Sequence, residues 1–199
     1  MTIASIDSSW YRSVNEFASD TGWAHGVVAN YANWAGLVLL ALLLVAAWLL
    51  GRRRADAPRL TATAFLVGIG AVLALVATQA IGPAVARTRP CHALAQVEVL
   101  LHCASDSSFP SDHAMIAGAF AAGLLLLNRS IGLAALLLAL LLAFARIYVG
   151  VHYPSDVAGG LAIGAAIGAL VVLSLRPATA AAASRLARTA LRPLIVSRS

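Results

Sequence analysis

Lysine is absent from this 199-residue chain: all 14 basic residues are arginine, and only eight residues are acidic. Charged residues make up 11% of the sequence and hydrophobic ones 61%, against about 25% and roughly 45–50% in soluble domains. So little charge nearly excludes a soluble globule. Disorder is excluded by the same figures, because disordered chains are poor in apolar residues and rich in charge. Cysteine is scarce too, and Cys91 and Cys103 make no metal site on their own. There is no internal repeat, and the length allows a single domain, 1–199. What fills the chain instead is long apolar runs, with mean hydropathy +0.87. The net charge of +6 sits on arginines at the ends of those runs, a pattern of membrane topology rather than of nucleic-acid binding.

These features predict an all-α integral membrane helical bundle with about five transmembrane helices. A helix needs about 20 apolar residues to cross roughly 30 Å of hydrocarbon. Five runs qualify, at 34–50, 60–86, 113–128, 131–149 and 154–175, giving a transmembrane core over 34–176. In the preceding segment, 1–31, Trp10, Tyr11, Val14, Phe17 and Ala18 recur at helical spacing, which suits a helix lying along the membrane interface. It is too polar for a signal-peptide core, so no cleaved peptide is expected. The basic tail, 177–199, is Ala-rich and amphipathic and is expected at the cytoplasmic membrane surface. Alternating the spans places Arg52, Arg53, Arg54, Arg59, Arg129, Arg176, Arg185, Arg188, Arg192 and Arg198 on one side, leaving Arg12, Arg87, Arg89 and Arg146 on the other. Arginine bias sets orientation. The expectation is therefore a multi-pass protein of the cell (plasma) membrane with the 86–112 loop and the 150–155 turn on the extracytoplasmic face.

Three polar segments gather there: Ala86-Arg87-Thr88-Arg89-Pro90, Phe109-Pro110-Ser111-Asp112-His113, and the stretch from Arg146 through His152 to Asp156. Ionisable groups in or beside spans are expensive and usually functional. Single arginines at span ends are ordinary anchors, but three segments on one side outweigh that explanation. Arg89 and Arg146 offer planar, permanently charged forks suited to phosphate oxygens. Ser111 suits the N-cap of the third span, whose free N–H groups make an anion site, and His113 lies on its first turn. His152 and Asp156 are four apart around the start of the fifth helix, with Pro154 suited to its first turn. A carboxylate at that spacing can hold one imidazole N–H and leave the other nitrogen free as a nucleophile. Two arginines, two histidines, a hydroxyl and a carboxylate describe phosphoryl transfer without metal or cofactor.

The same residues resemble the three motifs of the type 2 phosphatidic acid phosphatase superfamily, Lys-x6-Arg-Pro, Pro-Ser-Gly-His and Ser-Arg-x5-His-x3-Asp. The resemblance covers about 82–156 and implies that His152 is a nucleophile forming a phosphohistidine, that Asp156 orients it, and that His113 protonates the leaving oxygen. It also implies that Arg89, Arg146 and Ser111 bind the phosphate. Three positions depart from the pattern. Gly82 stands where the family has lysine, and Arg87 is expected to compensate as a further phosphate ligand. Ala145 replaces the serine before Arg146. Asp112 replaces the motif glycine, as in bacterial undecaprenyl-diphosphatases of the bacitracin-resistance type, which the stretch from Arg146 to Asp156 also resembles. The resemblance therefore implies hydrolysis of a polyprenyl diphosphate in carrier-lipid recycling for cell-wall synthesis. Phosphatidylglycerol phosphate, phosphatidate or a phosphorylated prenyl sugar are the alternative substrates. A non-catalytic lipid-phosphate binder or transporter is the alternative from another class, which the presence of His113, His152 and Asp156 disfavours. The expected partners are the lipid substrate and membrane lipids.

Residues outside the motifs have plainer readings. His25 reads as interfacial. His92 and His102 flank the cysteines, but a disulfide between Cys91 and Cys103 fits an oxidising compartment better than a zinc site. Gly118, Gly123, Gly159, Gly160, Gly164 and Gly168 suit close helix packing. Gln79, inside the second span, is expected to be a buried hydrogen-bonding residue, with a role in the site as the alternative.

Overall fold

The computed structural model describes residues 3–197; Arg198, counted above, lies outside the described residues. These are helical throughout their regular structure, with no strand among them. Helix α1 (Ile3–Asp20) is followed by a 3₁₀ turn (Gly22–Ala24), α2 (His25–Asn30), a π-helical turn (Tyr31–Ala35) and α3 (Gly36–Gly51). Then come α4 (Ala57–Val85), the short α5 (Pro90–Ala93), α6 (Asp112–Leu127), α7 (Arg129–Tyr148), α8 (Pro154–Leu186) and the short α9 (Arg192–Ile195). Among the described residues, four stretches are long and apolar enough to cross a membrane: Gly22–Gly51, Ala57–Ala93, Arg129–Tyr148 and Pro154–Leu186. The fifth expected span, α6, is apolar but has only 16 residues, about 24 Å at 1.5 Å per residue. It is the central helix, packed against α3, α4, α7 and α8.

Lipid is as apolar as leucine, so helix association in a membrane depends on close van der Waals packing rather than on apolar burial. The contact between α6 and α8 is built that way. A Cβ on Gly164 would lie 1.9 Å from the Met115 carbonyl oxygen, one on Gly168 2.6 Å from that of Ala119, and one on Gly118 2.3 Å from that of Leu161. Met115, Leu124, Leu66, Val67, Leu142 and Val172 fill the core around these contacts. Phe65, Val72, Val76, Leu137, Leu140 and Leu170 face outward, as a bundle bathed in lipid requires. Replacing Gly164 by alanine is expected to force α6 and α8 apart, and overpacking of this kind typically costs about 1–3 kcal/mol. Thermal unfolding in detergent should show a lowered midpoint for Gly164→Ala. Gly26→Ala, with nothing within 4 Å of the added carbon, should show none, and equal midpoints for the two would contradict this packing.

Two boundaries differ from the expectation. The first span opens before residue 34, because the chain is helical from Gly22 onward apart from the change of pitch at Tyr31–Ala35. The polar His25 that marked this region as interfacial is hydrogen-bonded through Nε2 to the Ala18 carbonyl at 2.7 Å. Helix α8 does not stop near 175 but continues through Pro177 to Leu186; a proline inside a helix removes one backbone donor without obliging the helix to end. The tail then folds back on the α3–α4 end. Ser197 N–H donates to the Arg52 carbonyl at 2.8 Å, Thr61 Oγ1 to that of Ile195 at 3.1 Å, and the Arg52 guanidinium to that of Pro193.

Candidate active site

The three polar segments converge at one end of the bundle. Helix α7 ends at Tyr148, and in the turn beyond it Gly150 has a φ of +85°, left-handed backbone that glycine adopts without a steric cost. The chain turns there and delivers His152 just ahead of α8. Its side chain is 2% exposed. Nδ1 lies 2.9 Å from the Ser108 carbonyl oxygen, which can only accept, so Nδ1 carries the proton and Nε2 the lone pair. Nε2 faces Arg89 Nη1 at 3.2 Å. Burial, reinforced by the charges of Arg146 and Arg89 and opposed by Asp156, lowers the His152 pKa to about 4. The imidazole is therefore neutral at physiological pH, the state a nucleophile requires.

Asp156 does not bond His152 directly. Its Oδ2 is 3.8 Å from Nδ1, beyond hydrogen-bond range. That oxygen accepts instead from Ser108 Oγ at 2.5 Å and from the Tyr153 N–H at 2.8 Å. The orienting contact expected from the carboxylate is thus supplied by the Ser108 carbonyl, with Asp156 one step behind it. Spacing alone could not reveal this, because the partner is a main-chain oxygen 44 residues away in sequence.

Arg146 is buried, donates from Nη1 to the Ala32 carbonyl at 3.2 Å, and leaves Nε without a partner among the described residues. Ser111 takes the N-cap position of α6 but makes no capping bond; its hydroxyl is fully buried and likewise without a partner among the described residues. Buried polar atoms are nearly always hydrogen-bonded, and exceptions call for an explanation. A bound anion would account for both. His113, on the first turn of α6, has Nε2 2.9 Å from the Asn33 carbonyl, so that nitrogen carries a proton and Nδ1 is left for chemistry. Both the Ala32 and Asn33 carbonyls belong to the π-helical turn. Turns of this kind recur at functional sites, but nothing in the apolar pattern marks this one. Arg89 is held by Asp106, whose Oδ1 accepts from Nε at 3.0 Å and from Nη2 at 2.8 Å. Asp106 is 62% exposed and was not among the expected residues.

Arg87 is a correction. It was expected to replace the missing lysine as a phosphate ligand, but both its terminal nitrogens are already paired. Nη1 donates to Asp156 Oδ1 and Ser155 Oγ, each at 2.6 Å, and Nη2 to Asp7 Oδ2 at 2.5 Å. The guanidinium also stacks 4.2 Å over the Tyr153 ring. Gln79 is a second correction: it is exposed rather than buried, and its amide reaches only Thr78. It lines a cavity of about 400 Å³ between α4 and the 105–110 loop, together with Gly82, Arg89, His92 and Asp112.

Cys91 and Cys103 form the expected disulfide. With His92 they are the one grouping of three metal-ligand side chains among the described residues, and sulfurs bonded to each other are not thiolate ligands.

The model of the PAP2 superfamily matches residues 61–180. The crystal structure of Aquifex aeolicus LpxE is similar over 83% of this chain and 93% of its own, with a TM-score of 0.59 and 24% identity. That of a transmembrane PAP2-type phosphatidylglycerolphosphate phosphatase from Bacillus subtilis is similar over 85% of both chains, with a TM-score of 0.60 and 22% identity. At these identities the likeness is one of fold. No curated protein matches the chain significantly.

Proposed function

The chain belongs to the PAP2 superfamily and is a multi-pass membrane lipid phosphatase, and we propose that its substrate is a polyprenyl diphosphate, cleaved to the monophosphate and phosphate through a phosphohistidine. One observation carries the mechanism: a buried neutral His152 whose unprotonated Nε2 accepts from Arg89 Nη1, at the end of the bundle where Ser111 Oγ and Arg146 Nε have no partner among the described residues. Nε2 attacks the terminal phosphorus, and the bond from phosphorus to the bridging oxygen breaks. His113 gives its Nδ1 proton to that oxygen, which leaves on the lipid monophosphate. Water then attacks the phosphohistidine and loses its proton to His113; the phosphorus–nitrogen bond breaks, releasing phosphate and the neutral imidazole. Arg89, Arg146 and Ser111 hold the phosphoryl oxygens throughout, where preorganised donors are worth about 10²–10³-fold each.

The diphosphate is supported by Asp112 in place of the motif glycine and by the cavity beside Arg89, which has room for a second phosphate. The outward face is supported by the arginines gathered at the other end of the bundle. A phosphomonoester lipid is the second reading, favoured by the fold shared with the Bacillus phosphatase.

Phosphate release by the purified protein from a panel of prenyl diphosphates, phosphatidylglycerol phosphate and phosphatidate tests the assignment. Prenyl diphosphates should give the highest kcat/KM; a preference for either phosphoglyceride would replace the substrate, and no release from any would leave a binder. Release is expected to survive EDTA and to be inhibited by vanadate, a mimic of five-coordinate phosphorus. Loss with EDTA that magnesium restores would contradict the metal-independent route. In whole cells, cysteines introduced at Thr88 and Ser155 should label from outside and those at Asp56 and Ser184 only from inside; the reverse would invert the site.

A further inference from the structure

Helix α1 is more than an interfacial anchor. Asp7, Tyr11 and Asn15 lie on one face at intervals of four, and all three are buried. Asn15 exchanges two hydrogen bonds with the Glu98 backbone, at 2.7 and 2.8 Å. Tyr11 donates to the Gly150 carbonyl at 3.1 Å. Asp7 reaches furthest into the site. Its Oδ1 accepts from the Ser155 N–H at 2.9 Å, and its Oδ2 from Ser155 Oγ at 2.6 Å and from Arg87 Nη2. The other terminal nitrogen of Arg87 holds Asp156, and Asp156 fixes Ser108, whose carbonyl fixes His152.

We propose that Asp7 is a positioning residue of the phosphoryl-transfer site, acting through Arg87 on Asp156 and thence on His152. The inference rests on the reading of His152 as nucleophile. Its physical basis is charge. Paired with Asp156 alone, the Arg87 guanidinium would cancel the carboxylate. Shared with Asp7, the three groups carry a net charge of −1, which favours the positive charge that the imidazole gains as Nε2 bonds to phosphorus. The two contacts also clamp Arg87 in one orientation, so that Asp156 Oδ2 stays on Ser108.

A double-mutant cycle on the full-length protein tests this, with Asp7→Asn, Arg87→Gln and the pair, on a short-chain prenyl diphosphate, and kcat expressed per vanadate-binding site so that misfolded protein does not count. Asp7→Asn keeps the shape and removes the charge. It should lower kcat roughly tenfold, the scale of coupling within one ion-pair network, with KM changed by less than about twofold. In the Arg87→Gln background the same substitution should cost less than about twofold, because its route is already cut. Tyr11→Phe, which removes a docking bond of α1 without touching charge, should leave kcat unchanged. Wild-type kcat in Asp7→Asn, losses that multiply in the double variant, or a Tyr11→Phe loss equal to that of Asp7→Asn would each overturn the inference. Activity in His152→Ala would instead overturn the nucleophile reading beneath it.

Discussion

Replacing His152 by alanine is expected to abolish turnover of every lipid phosphate the enzyme accepts, by a factor on the order of 10⁴ or more, as loss of a nucleophile does elsewhere. The expectation does not depend on the lipid, because on the proposed mechanism no substrate bypasses the covalent step. It follows from the position of the imidazole. The ring is 2% exposed, fixed at Nδ1 by the Ser108 carbonyl, and turned with Nε2 toward Arg89. Burial also sets the pH range. An ordinary histidine titrates near 6.5, whereas His152 is lowered to about 4, so the folded protein takes up this proton only well below the unfolded chain. The contribution of the neutral imidazole to stability is complete above pH about 6.5 and is lost progressively as pH falls toward 4. Between those values the nucleophile stays unprotonated, so kcat/KM should show no acid limb from His152 near pH 6.5. Protonation of the His152 imidazole near pH 6.5, read from its ring NMR shifts, would contradict the burial argument. Residual phosphate release from His152→Ala within tenfold of wild type, measured on the same panel, would remove the covalent mechanism.

His113→Ala should produce the second-largest loss, and one that depends on the leaving group. General acid catalysis is typically worth about 10²–10⁴-fold. The full loss is expected with an alkyl phosphate, whose alkoxide leaves poorly without a proton. A p-nitrophenyl ester, whose phenolate needs no help, should lose least, and a diphosphate should fall between them. Because the Asn33 carbonyl holds Nε2–H, the transferable proton is the one on Nδ1, and His113→Gln should not restore it. Equal losses with all three substrates would make His113 a phosphate binder instead.

Much of this was legible in the sequence, and what was not shares one cause. The five apolar runs correspond to α3, α4, α6, α7 and α8, because hydrophobicity and length are local properties. The motif residues came together because each is tied to the end of one of those helices. Gly118, Gly164 and Gly168 were read as packing positions and meet neighbouring backbone at distances no side chain tolerates. The missed features are pairings across long stretches of chain. Arg87 reads as a substitute for the lysine missing at Gly82, but sequence does not say which anions neutralise an arginine; Asp7, 80 residues away, is unremarkable on an amphipathic helix. Asp106 was overlooked because an exposed loop acid has no periodicity to mark it. The carbonyls of Ala32, Asn33 and Ser108 carry no side-chain signature at all. The helix ends near 34 and 175 lie elsewhere because polar residues and Pro177 read as stops in the sequence, whereas the helices run through them.

The central claim is the phosphohistidine, and trapping it is the most direct test. Enzyme mixed with a prenyl diphosphate labelled in its terminal phosphate can be quenched within a single turnover into alkali, which preserves a phosphorus–nitrogen bond, and the labelled peptide mapped. The account predicts label on the peptide bearing His152, lost on acidification and absent in His152→Ala. Label on any other residue, or none while phosphate is being released in the first turnover, would contradict it.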